Sequence, residues 1–154
     1  MRRLLLIAVL CAVAVSVAAV VNAGGKTQLT TTLRFDERST LFKVIDNPPA
    51  DAGQNPETGD TVVFTGDLMS GSTKVGHDRG YCTVIDAPKA ECTATFFFNS
   101  RGSIGGSDTF DFASTSTQHI AIMGGTGRYR GARGQAQVKQ VSQTLARWVA
   151  VFTR

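Results

Sequence analysis

From residue 28 onward the chain alternates apolar and polar side chains with period two, in short runs rich in β-branched and aromatic residues. One phase of the run 92–98 carries Ala94, Phe96 and Phe98, and the other Thr93, Thr95 and Phe97. In 146–153, Trp148, Ala150 and Phe152 share one face, and Arg147, Val149 and Val151 the other. This pattern predicts strands over 28–35, 40–45, 61–69, 80–86, 92–98, 103–112, 118–123, 135–141 and 146–153. Turn chemistry separates them at Asn47-Pro48-Pro49, Asn55-Pro56, Ser70-Gly71, residues 99–102 and Gly124-Gly125-Thr126-Gly127. Residues 46–59 form the longest stretch without a pattern and are expected to be an exposed loop. No helical periodicity, internal repeat or second domain emerges.

Many short strands at this spacing fit a sandwich or a barrel. A closed antiparallel barrel is expected, because closure removes exposed strand edges, and about eight strands leave room for side chains or one small ligand. The fold class is therefore all-β and single-domain. Which face of each strand lines the lumen stays open at this level, since a slip of one residue exchanges the two faces.

The first 23 residues break the pattern. Met1-Arg2-Arg3 opens with positive charge, residues 4–21 are almost wholly apolar, and Val21-Asn22-Ala23 presents small residues where a signal peptidase reads. Cleavage is expected after Ala23, leaving a secreted domain at 24–154 with no membrane segment. The competing reading is a retained anchor, because the apolar run is long enough to span a bilayer. Sixteen Lys and Arg, less Arg2 and Arg3, then face twelve Asp and Glu, a net of +2. That balance gives no case for nucleic acid.

Removing the leader removes Cys11 and leaves Cys82 and Cys92, an even pair in an oxidising compartment. They lie in two adjacent extended runs joined by a turn containing Pro88, and a hairpin sets such positions opposite each other at disulfide distance. A disulfide is expected; the alternative is a reactive Cys82 thiol. His77, read in a glycine-rich loop with Asp78 and Arg79, and His119 each lack a second histidine nearby, so no metal site is expected.

The order of segments also carries a resemblance. Gly59-Asp60-Thr61-Val62-Val63-Phe64 leads to Leu68-Met69-Ser70-Gly71, Val75-Gly76 and Gly80-Tyr81-Cys82. Later come Gly124-Gly125-Thr126-Gly127, Tyr129 and Ala132-Arg133-Gly134. This order resembles the allene oxide cyclase barrel family, with plant dirigent proteins among its relatives, and in particular its secreted bacterial branch. The resemblance implies an eight-stranded antiparallel barrel that works without a cofactor and assembles as a homodimer or homotrimer. It also implies chemistry inside the barrel on a small apolar or aromatic molecule. It puts Arg34 at the position of the cyclases' first-strand Glu and Asp36 at that of the Asn two residues on. Cys82 matches a cysteine lining the plant pocket, and Arg133 matches an arginine at the dirigent barrel mouth. The cyclases' following Ser-Pro has no counterpart in Ser39-Thr40-Leu41, so allene oxide cyclisation itself is not implied.

Arg34 and Asp36 are thus the catalytic candidates, with Cys82 and Arg133 as further ligand-binding candidates. Alternation puts Arg34 and Asp36 on one face, either the lumen or the solvent side. Arg133 between glycines also fits a structural role, and Tyr129 and Trp148 are expected to pack. The Gly-rich segment lacks the spacing and lysine of a phosphate loop, so its glycines are expected to serve tight turning. Three functions stay in play: an isomerase or cyclase steering a reactive small molecule, a noncatalytic small-molecule binder, and a structural or protein-interaction barrel whose lumen is filled by residues such as Phe96 and Phe97.

Overall fold

A computed structural model of the chain describes residues 16–21, 27–47 and 55–154. Nine strands follow one another: β1 (Ser16–Val21), β2 (Thr27–Ile45), β3 (Thr61–Ser70), β4 (Thr73–Asp86), β5 (Lys89–Phe98), β6 (Gly102–Asp111), β7 (Gln118–Gly125), β8 (Arg133–Ser142) and β9 (Leu145–Thr153). Each pairs antiparallel with the next, and β2 also pairs with β9. Strands β2 to β9 therefore close an eight-stranded barrel, as expected. Strand β1 runs beside the first part of β2, from Ser16 opposite Thr32 to Val21 opposite Thr27. It falls within the segment read as a leader; the cleavage position at Ala23 lies outside the described residues.

Two of the expected strands, 28–35 and 40–45, are one continuous strand. The register against β3 shifts between Ser39 and Leu41, a bulge that inserts Thr40 and reverses the alternation. Leu33, Phe35 and Glu37 point inward before it, and Phe42 and Val44 share the inward phase of Phe64 and Val62 after it. A break in period two thus marks a phase change, where the sequence suggested a turn. Strand β4 likewise begins at Thr73, earlier than expected, so His77, Asp78 and Arg79 sit in a strand rather than a loop.

The inward residues form two packed groups. The larger fills the middle and one end of the barrel around Phe35, Leu68, Phe96, Phe98, Trp148 and Phe152. That end is closed by a single 3-10 turn, Gly127–Tyr129, which drives Tyr129 inward against Phe98 and Phe152 at ring-centroid distances of 5.3 and 5.9 Å. Gly127 takes φ 57°, in the left-handed region that favours glycine. The Gly-rich segment is thus the hinge of a plug. Phe97, expected as a lumen filler, points outward, where it stacks on His77 at 4.9 Å and lies under the Arg79 guanidinium.

The smaller group, Val62, Val84 and Ala90 with the cysteines, lies towards the other end. Cys82 and Cys92 face each other across β4 and β5, with Cα atoms 4.0 Å apart, and are joined in a disulfide. Closing so short a loop restricts the unfolded chain and stabilises by about 2–3 kcal/mol on the chain-entropy estimate. Urea melts with and without reductant are expected to differ by that amount. Coincident curves would show that the hairpin holds its register without the bond.

Candidate functional site

The open end of the barrel leads into a cavity of about 860 Å³. Its rim is apolar and aromatic. Phe42 packs edge-on against Phe112 at 6.0 Å, and Phe112 against Phe110 at 5.6 Å. Leu41 and Phe42 stay 45% and 55% exposed, so this end presents apolar surface to solvent. Asn55 and Pro56, from the segment before β3, and Gln140, Gln143 and Thr144, from the β8–β9 hairpin, add a polar fringe. Further in, the wall is made by Phe64, Ala94, Ile120, Val138 and the Cys82–Cys92 pair.

At the floor stands Glu37. It occupies the inward phase of β2 after Leu33 and Phe35, where alternation would otherwise supply an apolar residue. The Trp148 indole N–H donates to its Oε2 at 2.7 Å, fixing the carboxyl at the cavity base. Trp148 is in turn held by Phe35, stacked at 6.1 Å, and by Phe96, edge-on at 4.8 Å. Trp148, expected only to pack, therefore also positions a titratable group.

Beside Glu37, across Gly66, lies a second acid. Asp78 is 1% exposed, and neither of its carboxyl oxygens has a hydrogen-bond partner in bonding geometry. Gly66 lies opposite it on β3, and the two carboxyls flank that glycine. A Cβ placed on Gly66 would sit 2.6 Å from Asp78 Oδ1 and 2.8 Å from Glu37 Cγ. The absent side chain at 66 is what lets the acids approach one another. Burial disfavours both charged forms. Desolvation, followed by the field of Asp78, pushes Glu37 up to about 7, against the pull of the Trp148 hydrogen bond. Desolvation likewise pushes Asp78 up to about 6, tempered by its own amide and that of Gly66 and reinforced by Asp67. Glu37 is therefore a carboxyl that both holds and releases a proton near neutral pH, in a largely apolar cavity.

The residues singled out from the sequence lie elsewhere, with one exception. Arg34 and Asp36 do share a face, but it is the outer one. Arg34 is exposed, and Asp36 pairs with Arg147 at 3.4 Å across β9. Their neighbours one residue along, Phe35 and Glu37, take the lumen positions. Arg133 is exposed at the closed end and donates from Nη1 to the Ala132 carbonyl at 2.9 Å. Cys82 alone lines the cavity, and as a disulfide it offers no thiol. His119 is exposed and meets Gln135 on the outside. The signal for Glu37 and Asp78 was present in the sequence. Each is a carboxylate in the apolar phase of a strand: Leu33-x-Phe35-x-Glu37, and Asp78 in step with Cys82 and Val84.

Residues 40–151 match the family described as "Allene oxide cyclase barrel like domain". Among solved structures, a pyocyanin demethylase superposes with a TM-score of 0.64 at 22% identity, covering 78% of this chain and 98% of that one. The pterocarpan synthase dirigent protein PsPTS1 superposes with a TM-score of 0.69 at 21% identity, covering 80% of this chain and 94% of that one. The Diels Alderase AbmU from Streptomyces koyangensis gives 0.61 at 16% identity, covering 80% of this chain and 63% of that one. At these identities the likeness is one of fold.

Proposed function

Given that this chain belongs to the allene oxide cyclase barrel-like family, we propose that its lumen binds a small apolar or aromatic molecule and steers its isomerisation or cyclisation by proton transfer from Glu37. One observation carries this reading: a carboxyl titrating near neutrality, fixed by Trp148, stands at the base of an aromatic cavity. The protonated Glu37 gives its proton to a basic oxygen or carbon of the bound molecule. The resulting carboxylate, beside the still-apolar wall, takes a proton back as the rearranged product forms. Nothing is oxidised or reduced, and no cofactor is required. Asp78 is a positioning residue, because it acts on the ligand only through the proton affinity of Glu37. The cavity walls supply shape and exclude water, which is most of what an intramolecular rearrangement needs. Proteins similar in fold to this one are named for acting on small organic molecules, which supports the substrate class. Secretion after cleavage behind Ala23, and assembly as a homodimer or homotrimer, belong to the same reading.

A cavity of this size favours small-molecule binding over a barrel that is merely structural. The neutral fluorescent probe N-phenyl-1-naphthylamine is expected to bind one per barrel and to quench the emission of Trp148, the sole tryptophan. Ala94→Trp, which fills the cavity wall, should abolish binding, while Glu37→Gln should retain it. Absence of binding to a folded wild-type barrel, or undiminished binding by a folded Ala94→Trp, would overturn the reading.

A further inference from the structure

The layer of Phe35, Phe96, Phe98 and Trp148 divides the barrel interior. Above it is the cavity just described. Below it, towards the closed end, lies a second and smaller cavity of about 240 Å³. Along that edge of β2, among the described residues, pairing with β1 runs to Thr32 and pairing with β3 starts at Asp36, so the notch lies beside 33–35, between the two described pairings. The gap is bordered by the start of β4 and by the β5–β6 turn.

The lining of this notch has two characters. Leu33, Phe35, Phe98 and Tyr129 form an apolar and aromatic floor, and Arg34, Lys74 and Arg101 stand around it. Little negative charge offsets those cations. Asp67 is taken up by Lys74, at 2.6 Å, and Asp36 by Arg147. Arg34 and Arg101 have no ion-pair partner among the described residues; Arg101 instead lies against the Tyr129 hydroxyl. Arg128, Arg130, Arg133 and Arg154 belong to the same end of the barrel, in the plug, the start of β8 and the chain end after β9. Their combined field draws anions towards the opening.

We propose that this notch is a second binding site, for a small carboxylate whose single-ring or short aliphatic body rests on the aromatic floor. Two guanidinium groups supply the planar paired donors that a carboxylate accepts. The volume is below that of sites for drug-sized ligands, which limits the body to about one ring. The site stands independently of the lumen reading, from which the aromatic layer separates it.

Benzoate, benzyl alcohol and inorganic phosphate are the probes, titrated calorimetrically into the full chain. Benzoate is expected to bind one per chain, and benzyl alcohol and phosphate at least about tenfold more weakly, since each lacks one of the two features recognised. Arg101→Gln and Arg34→Gln should each weaken benzoate by about tenfold, and Lys89→Gln, exposed at the open end of the barrel, should leave it unchanged. Arg34 is exposed, so its variant keeps the test alive if the loss of Arg101 disturbs Tyr129. Ala94→Trp, which blocks the upper cavity, should leave benzoate binding intact. Benzoate binding no tighter than benzyl alcohol or phosphate would overturn the proposal. So would affinity unmoved by both arginine variants, or lost in a folded Ala94→Trp.

Discussion

Replacing Glu37 by Gln is expected to stabilise the barrel by about 3 kcal/mol at pH 8 and to leave its stability unchanged at pH 4. The sign follows from where the proton binds. In the unfolded chain Glu37 titrates near its ordinary value of 4.5, and in the barrel it is pushed up to about 7. Between those values the folded state holds a proton that the unfolded state has released, so stability falls as pH rises through that window. Above about 7 the barrel carries a buried carboxylate whose full cost has been incurred. Gln has the same shape, can still accept from the Trp148 indole, and never ionises. Asp78→Asn should relieve the same kind of cost over a lower window, because Asp78 is raised from 3.8 to about 6. The two gains should not add, since each acid contributes to the other's environment. Chemical denaturation at pH 4, 6 and 8 measures all three proteins. Parallel pH profiles for wild type and Glu37→Gln would mean that Glu37 ionises as freely in the barrel as in the unfolded chain. A second readout isolates the role of Asp78. Its Asn variant should lower the Glu37 titration midpoint followed by carboxyl NMR, which loss of packing alone would not do.

Gly134→Ala should destabilise the barrel by about 3 kcal/mol or more, lowering its melting temperature by on the order of 10 °C. A Cβ at this position would lie 2.2 Å from the Val151 carbonyl oxygen and 2.7 Å from Phe152 Cα, both backbone atoms of β9. A flexible side chain could turn aside, but here two paired strands must separate, and Phe152, 1% exposed, must leave its place beside Tyr129. Gly105→Ala is the matched control. It is also a strand glycine, yet its Cβ would meet nothing nearer than the Ala94 carbonyl oxygen at 4.0 Å. Its effect should stay within about 0.5 kcal/mol. Thermal melts of the two variants side by side make the comparison; equal effects would refute the close strand approach at Gly134.

The two sites differ in how readable they were. The disulfide was legible because a hairpin is local: once 80–86 and 92–98 were strands joined by a short turn, Cys82 and Cys92 had to face one another, as they do. The cavity was legible only as a consequence of barrel closure. Its acids were not found, because alignment to a family pattern pointed to Arg34 and Asp36, one residue out of step with the apolar phase. In a strand that single step is the difference between solvent and lumen. Leu33, Phe35 and Glu37 follow the inward face. The bulge at Thr40 then hid the continuity of β2, since alternation on its two sides has opposite phase.

Local chemistry in the sequence determined that this chain is built of strands, roughly where they begin and end, and that β4 and β5 carry a cross-strand disulfide. Period-two alternation and turn residues act over a few positions, so they are visible without the fold. Tertiary structure decided what long-range pairing alone can decide. Closure of β2 on β9 brings Trp148 to Glu37, 111 residues away in sequence. The glycine at 66 lets two acids share one buried space, and a notch beside β2 lies among arginines that come from separate parts of the chain. Proton affinity and anion affinity both depend on burial and on neighbouring charge, and those are properties of the closed barrel rather than of any segment in it.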